Sequence, residues 1–180
     1  MVWLNTDDRY RSEALAQVQD TMVPDTEASI AFGHCLIIDL HWQETRRGIA
    51  RFKEAFFPTS SRFTFQCINY LSKQACFFRR SAVAAARPLC LDLKTAWNQN
   101  FFLRLWRQRK RVRMLGATIL EFFLHDGSTS GQHFRGAFDT KYQAAKKDPV
   151  SMSLETLLRW GVTREIIEAN SFMERWRKMA

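Results

Sequence analysis

Between Gln43 and Arg113 sixteen Lys and Arg residues stand against three acids, Glu44, Glu54 and Asp92, a local net charge of +13. Such a stretch folds only if nearly every cation reaches water, a carboxylate or an external anion, because burying an unpaired charge is prohibitive. The remaining residues carry eleven basic and fifteen acidic groups, a net charge of −4, so a basic centre lies between slightly acidic ends. Few local acids can neutralise that centre. Its self-repulsion must be offset from elsewhere, and phosphate is the natural partner.

The charge peaks in LRLWRQRKRVRM, residues 103–114, where Arg104, Arg107, Arg109, Lys110, Arg111 and Arg113 interrupt Leu103, Leu105, Trp106 and Val112. Read as the second half of a long helix from about Lys94 to Leu115, the run places Arg104, Arg107 and Arg111 on one side, spaced to follow a phosphate backbone. Arg46, Arg47, Arg79 and Arg80 in the same basic centre, and Arg135 beyond it, are further candidate phosphate contacts. Arg outnumbers Lys here, and a planar guanidinium suits bidentate phosphate contacts and base stacking better than an ammonium does. The competing reading is a solvated helix face whose Arg stems cover apolar surface.

The chain of 180 residues is 46% hydrophobic, with Phe 15 and Trp 6, enough to bury a core and to argue against wholesale disorder. No run reaches the roughly 18 uncharged apolar residues of a membrane span, and MVWLNTDDRYR lacks the basic start and apolar stretch of a signal peptide. Cys35, Cys67, Cys76 and Cys90 fit no zinc spacing and read as reduced, mostly buried small residues. A cytoplasmic protein without metal or other cofactor is the expectation.

Periodicity predicts an α+β, helix-rich fold. RYRSEALAQVQDTMV, residues 9–23, is helical and stops at Pro24, while GHCLIIDLHW yields a strand near 35–41 with Asp39 and His41 on one face. QETRRGIARFKEAFF forms a basic amphipathic helix with Ile49, Phe52 and Phe56 on its apolar stripe, ended by PTSS. RFTFQCINYLSKQACFFRR, residues 62–80, fits a helix through Ile68, Leu71, Ala75 and Phe78 better than a strand, AVAAA a short helix broken at Pro88, and PLCLDL a brief strand. GATILEFFL is read as the first arm of a hairpin over 117–138, with HDGSTSGQ as its loop and HFRGAF returning. SLETLLRWG and VTREIIEANSFMERWRK make a C-terminal helical hairpin over 150–180, with Gly161 as C-cap and Thr163 as N-cap, packed on the basic domain of residues 1–145. A DNA-binding helix-turn-helix is the weaker reading of that pair, because Glu165 and Glu168 would face phosphates.

The stretch GSTSGQHFR, Gly127 to Arg135, resembles a short Ser-, Gly-, Gln- and Phe-containing segment near the end of the type I-F CRISPR RNA-processing endonucleases, basic proteins that carry an Arg-rich helix before it. The resemblance covers these nine residues. It implies metal-independent RNA cleavage by attack of the 2′-hydroxyl, helped by an early histidine and a serine whose place here falls on Gly127 or Ser128. Independently, such cleavage needs a base near neutral pKa and a donor for developing charge, which makes His41 or His133, with Arg135, the candidates. Asp39, His41, His125, Asp126 and His133 lack the local spacing of a metal site. No phosphate-binding loop, dinucleotide fingerprint or nucleophile elbow is present.

These readings converge on a nucleic-acid-binding protein that grips phosphates through its Arg-rich centre, with RNA or single strands favoured by the mixture of Arg and aromatics. Two alternatives stand beside it. One is the metal-independent RNA endonuclease, and the other is a non-enzymatic subunit of a larger complex that presents its basic face to an acidic protein partner.

Overall fold

The computed structural model describes residues 1–88, 97–108 and 111–125. Its elements run β1 (Arg9–Tyr10), α1 (Ala14–Met22), β2 (Ala28–Ile38), α2 (Arg47–Glu54), α3 (Arg62–Cys67), a 3-10 turn (Lys73–Ala75), β3 (Cys76–Phe78), α4 (Arg80–Ala85), α5 (Trp97–Arg107) and β4 (Arg111–Phe123). The fold of the described residues is α+β, with five helices and one curled, mixed four-stranded sheet in the order β1-β4-β2-β3. Two long strands, β2 and β4, run parallel through its centre, and β1 and β3 flank them antiparallel.

Strand β2 reads ASIAFGHCLII, an almost continuous apolar run, and its first six residues are buried. Such a run belongs to a strand covered on both faces. Ile30, Phe32, Cys76 and Phe78 enter one core cluster with Phe65, Tyr70, Phe101 and Phe102, brought by α3, α5 and the segment between α3 and β3. The alternate residues Ala31 and Phe77 join Leu115, Ile119, Leu120 and Ala14 of α1 on the other face. Period-two alternation thus divides the sheet between two cores. Each fully buried aromatic contributes about 1.5 to 3 kcal/mol by leaving water. The rings of Phe65, Phe78, Phe101 and Phe102 also meet at centroid separations of 5.3 to 6.1 Å, the range in which tilted and edge-on pairs attract.

The central pairing is irregular. Five steps along β2, from Ile30 to Cys35, face eight along β4, from Val112 to Leu120, with register shifts around His34. Extra residues on one strand bend it and tighten the twist, which accounts for the curl. Gly33 lies at this bulge, where an added Cβ would come within 2.9 Å of both the Ala117 carbonyl oxygen and the Ile119 side chain. Close approach of the two strands therefore requires glycine there.

Several sequence expectations are corrected. Residues 9 and 10 are strand rather than the start of a helix, and the strand expected near 35–41 starts at Ala28 and ends at Ile38. Asp39 and His41 lie in a turn, where the Asp39 carboxylate accepts the backbone N–H groups of His41 and Gln43 at 2.8 and 3.1 Å. The helix expected over 62–80 stops at Cys67, followed by irregular chain, the 3-10 turn and β3, because Cys76, Phe77 and Phe78 pair with Phe32, Ala31 and Ile30 of β2. The long helix expected to reach Leu115 ends at Arg107, and residues from Arg111 onward are strand. Residues 117–123 are strand as expected, but they pair with β1 and, in parallel, with β2. The returning arm of the expected hairpin, the PLCLDL strand and the helical hairpin over 150–180 lie outside the described residues, apart from Pro88 at the start of PLCLDL.

Candidate nucleic-acid interface

The Arg-rich run divides where α5 gives way to β4. Phe101, Phe102, Leu103 and Leu105 are buried, Arg107 is exposed, and Arg104 is half-buried, with its Nε and Nη2 out of water. Arg104 donates to the Pro88 carbonyl oxygen. Burial, followed by the like charges of Arg62 and Arg104, holds the exposed Arg107 guanidinium below its ordinary pKa, so three guanidiniums from α3 and α5 share one neighbourhood. Arg109 and Lys110 lie outside the described residues.

Arg111 and Arg113 are on β4, two residues apart, and both reach Asp25 in the loop before β2. Arg113 Nη2 lies 2.5 Å from Asp25 Oδ2, and Arg111 Nη1 lies 3.8 Å from Oδ1. Burial acts to raise the Asp25 pKa, but the Arg113 hydrogen bond and the charges of both arginines outweigh it and hold the carboxyl below its ordinary value. Arg79 lies beside the same loop. Its Nε donates to the Ala28 carbonyl at 2.7 Å, and its Nη2 donates to the carbonyls of Met22 and Asp25 at 2.5 and 2.9 Å. One guanidinium thus ties the end of α1 to the start of β2. Arg80 is exposed, and its charge adds to burial in lowering the pKa of the Met1 ammonium.

A different surface emerges along residues 42–52. Trp42 adopts φ 62°, and its side chain remains 54% exposed. The Arg9 guanidinium stands 4.0 Å from the centre of its ring, and Phe123 meets it edge-on at 4.6 Å. Cation–π contact of this kind holds an exposed indole in one orientation. Arg46, also at positive φ, precedes α2. Arg47 is held by Glu44 through an Nε contact of 2.7 Å, while Arg51 is exposed and Phe52 is 41% exposed. No residue of α2 is buried. The sequence assigned Phe52 to a core stripe. In the structure only Ile49, Ala50, Lys53 and Glu54 of this eight-residue helix are partly covered, which leaves Phe52 against the edge of Phe56. Arg51 was absent from the sequence candidates. The signal for it was the shortness of RGIARFKE, which has too few apolar positions to bury a face.

His41 is exposed in the turn before this surface, and Ser128, His133 and Arg135 lie outside the described residues. At the far end of β4, His125 Nε2 lies 3.0 Å from the Asp7 carboxylate. No group of three or more potential metal ligands occurs among the described residues. No described helix is long and apolar enough to cross a membrane.

Neither the protein-family models nor the curated proteins contain a match to this chain.

Proposed function

We propose that this protein binds nucleic acid, with RNA or single strands preferred, through the Arg and aromatic surface of residues 42–52. The reading is carried by one observation: α2 buries no residue and presents Arg47, Arg51 and Phe52 to solvent, a few residues after an exposed Trp42. A surface helix that contributes no core has little structural reason to hold a phenyl ring in water. Guanidiniums beside exposed rings supply phosphate contact and base stacking, the two sequence-tolerant interactions of single-strand binding. The net charge of +13 over residues 43–113 supplies the long-range attraction. Arg107 extends the basic surface onto α5.

The test is fluorescence anisotropy with single- and double-stranded RNA and DNA across a salt series, comparing the wild type with an Arg51→Glu, Phe52→Ala variant. Binding that falls steeply with salt and weakens at least tenfold in the variant supports the proposal. Weak binding that the variant does not change overturns it and turns attention to an acidic protein partner. Shortening of the RNA by the wild type but not by His41→Ala would add cleavage to binding.

A further inference from the structure

We propose that the cleft between β2 and α2 is a covalent binding site for small uncharged aldehydes, with Lys53 Nζ as the nucleophile. The cleft is lined by Gly33, Cys35 and Ile37 of β2, by Ala50, Lys53 and Glu54 of α2, and by ring and hydroxyl groups of the neighbouring segments. It spans about 310 Å³ including its open mouth, of which only enough for about one water is enclosed. The cleft thus admits a group such as the carbonyl end of a small molecule.

The charges around Lys53 are arranged unusually. Glu54 is the one carboxylate of the lining, and it is engaged by His34 Nδ1 at 2.9 Å, with the His34 ring resting 5.2 Å from that of Phe57. Among the described residues no carboxylate forms an ion pair with Lys53. Cys35 and Tyr70, the other ionisable groups of the wall, are neutral at physiological pH: burial pushes the Cys35 thiol up to about 11 and raises the Tyr70 phenol as well. An amine in such surroundings loses solvation without forming an ion pair, and burial lowers the Lys53 pKa. This is the environment that turns a lysine from a surface cation into a nucleophile. Nothing in the lining offers a second cation, and a ligand carboxylate would face Glu54, so the site selects a neutral carbonyl compound.

The chemistry requires no other reagent. The Nζ lone pair adds to the aldehyde carbon, forming the C–N bond as the carbonyl π pair moves to oxygen. A proton passes from nitrogen to that oxygen through water, giving the carbinolamine. The nitrogen lone pair then forms C=N as the hydroxyl takes up a proton and leaves as water, and loss of the remaining nitrogen proton yields the neutral imine.

The experiment treats the full chain with limiting propionaldehyde and sodium borohydride at neutral pH and maps the resulting propyl groups by peptide mass spectrometry. Hydride reduces each imine to a stable secondary amine, so occupancy reads out site by site. The expected result is at least roughly tenfold higher occupancy at Lys53 than at Lys141 or Lys178, because a free amine adds to the carbonyl and an ammonium does not. Equal or lower occupancy at Lys53 overturns the proposal, and this result needs no variant to fold. Glyoxylate serves as the charged control. Occupancy at Lys53 as high with glyoxylate as with propionaldehyde would overturn the selectivity for neutral carbonyls. Neither outcome depends on nucleic-acid binding.

Discussion

The loop before β2 and helix α2 both carry arginines from the basic centre of the sequence, or are reached by them, yet they treat them in opposite ways. Around the loop the guanidiniums of Arg79, Arg111 and Arg113 meet the carboxylate of Asp25 and three backbone carbonyls. On α2, Arg51 and Phe52 stand in solvent on a helix with no fully buried residue. Net charge counts both groups equally, but only the second is offered to a partner without first breaking a native contact. Charge density in a sequence therefore sets an upper limit on the electropositive surface, and the fold decides how much of it is free.

The contrast is open to attack from both sides. The largest effect is expected from Arg79→Met, which keeps the apolar stem but leaves the carbonyls of Met22, Asp25 and Ala28 without their charged donor. Urea unfolding should show a loss of about 3 kcal/mol. A loss below about 1 kcal/mol would mean that water replaces the guanidinium and that the loop does not depend on it. The Arg51→Glu, Phe52→Ala variant should do the reverse: stability stays within about 0.5 kcal/mol of wild type, while affinity for single-stranded RNA falls at least tenfold. If stability and binding both collapse, α2 is part of the core after all.

The acid limb of stability sharpens the comparison further. Because the folded Asp25 carboxyl titrates below its ordinary value of 3.8, its contribution is present above that value and is lost as pH falls through the folded pKa. Thermal melts from about pH 6 to about pH 2 should therefore show an acid-side loss of Tm that is shallower in Asp25→Asn. Identical slopes would show that the pair with Arg113 does not persist in solution. The smallest expected effect is in the salt dependence of binding. Arg51→Ala should reduce the slope of log affinity against log salt by about 0.7 for a single strand. Arg113→Ala, whose charge is already matched by Asp25, should leave that slope nearly unchanged.

Much of the architecture was readable along the chain. The apolar run of β2, the helical spacing of α1 and the helix expected from about Lys94, observed as α5, each announced their element through local pattern, although the boundaries moved. The errors share a cause. CFF after Ala75 and RVRML after Lys110 are each compatible with a helix on local grounds, and both became strands because β2 supplied unpaired N–H and C=O groups at the right distance. The site was less readable than the fold. The basic centre was evident, but the pairing of Arg111 and Arg113 with Asp25, some 86 to 88 residues away in sequence, was not. Neither was Lys53, whose neighbours Cys35 and Tyr70 are brought to it only by packing.

By itself the sequence determined composition, charge polarity and the period of each apolar run, because these depend on residues within a few positions of one another. It therefore required a chain with a buried aromatic core and a basic centre. Only the tertiary structure decided which arginines are neutralised, where helix gives way to strand, and which lysine lines a cleft without an ion-pair partner. Those outcomes depend on groups distant in sequence, and the energy of a charge or a backbone hydrogen bond is fixed by what stands within a few ångströms of it in space.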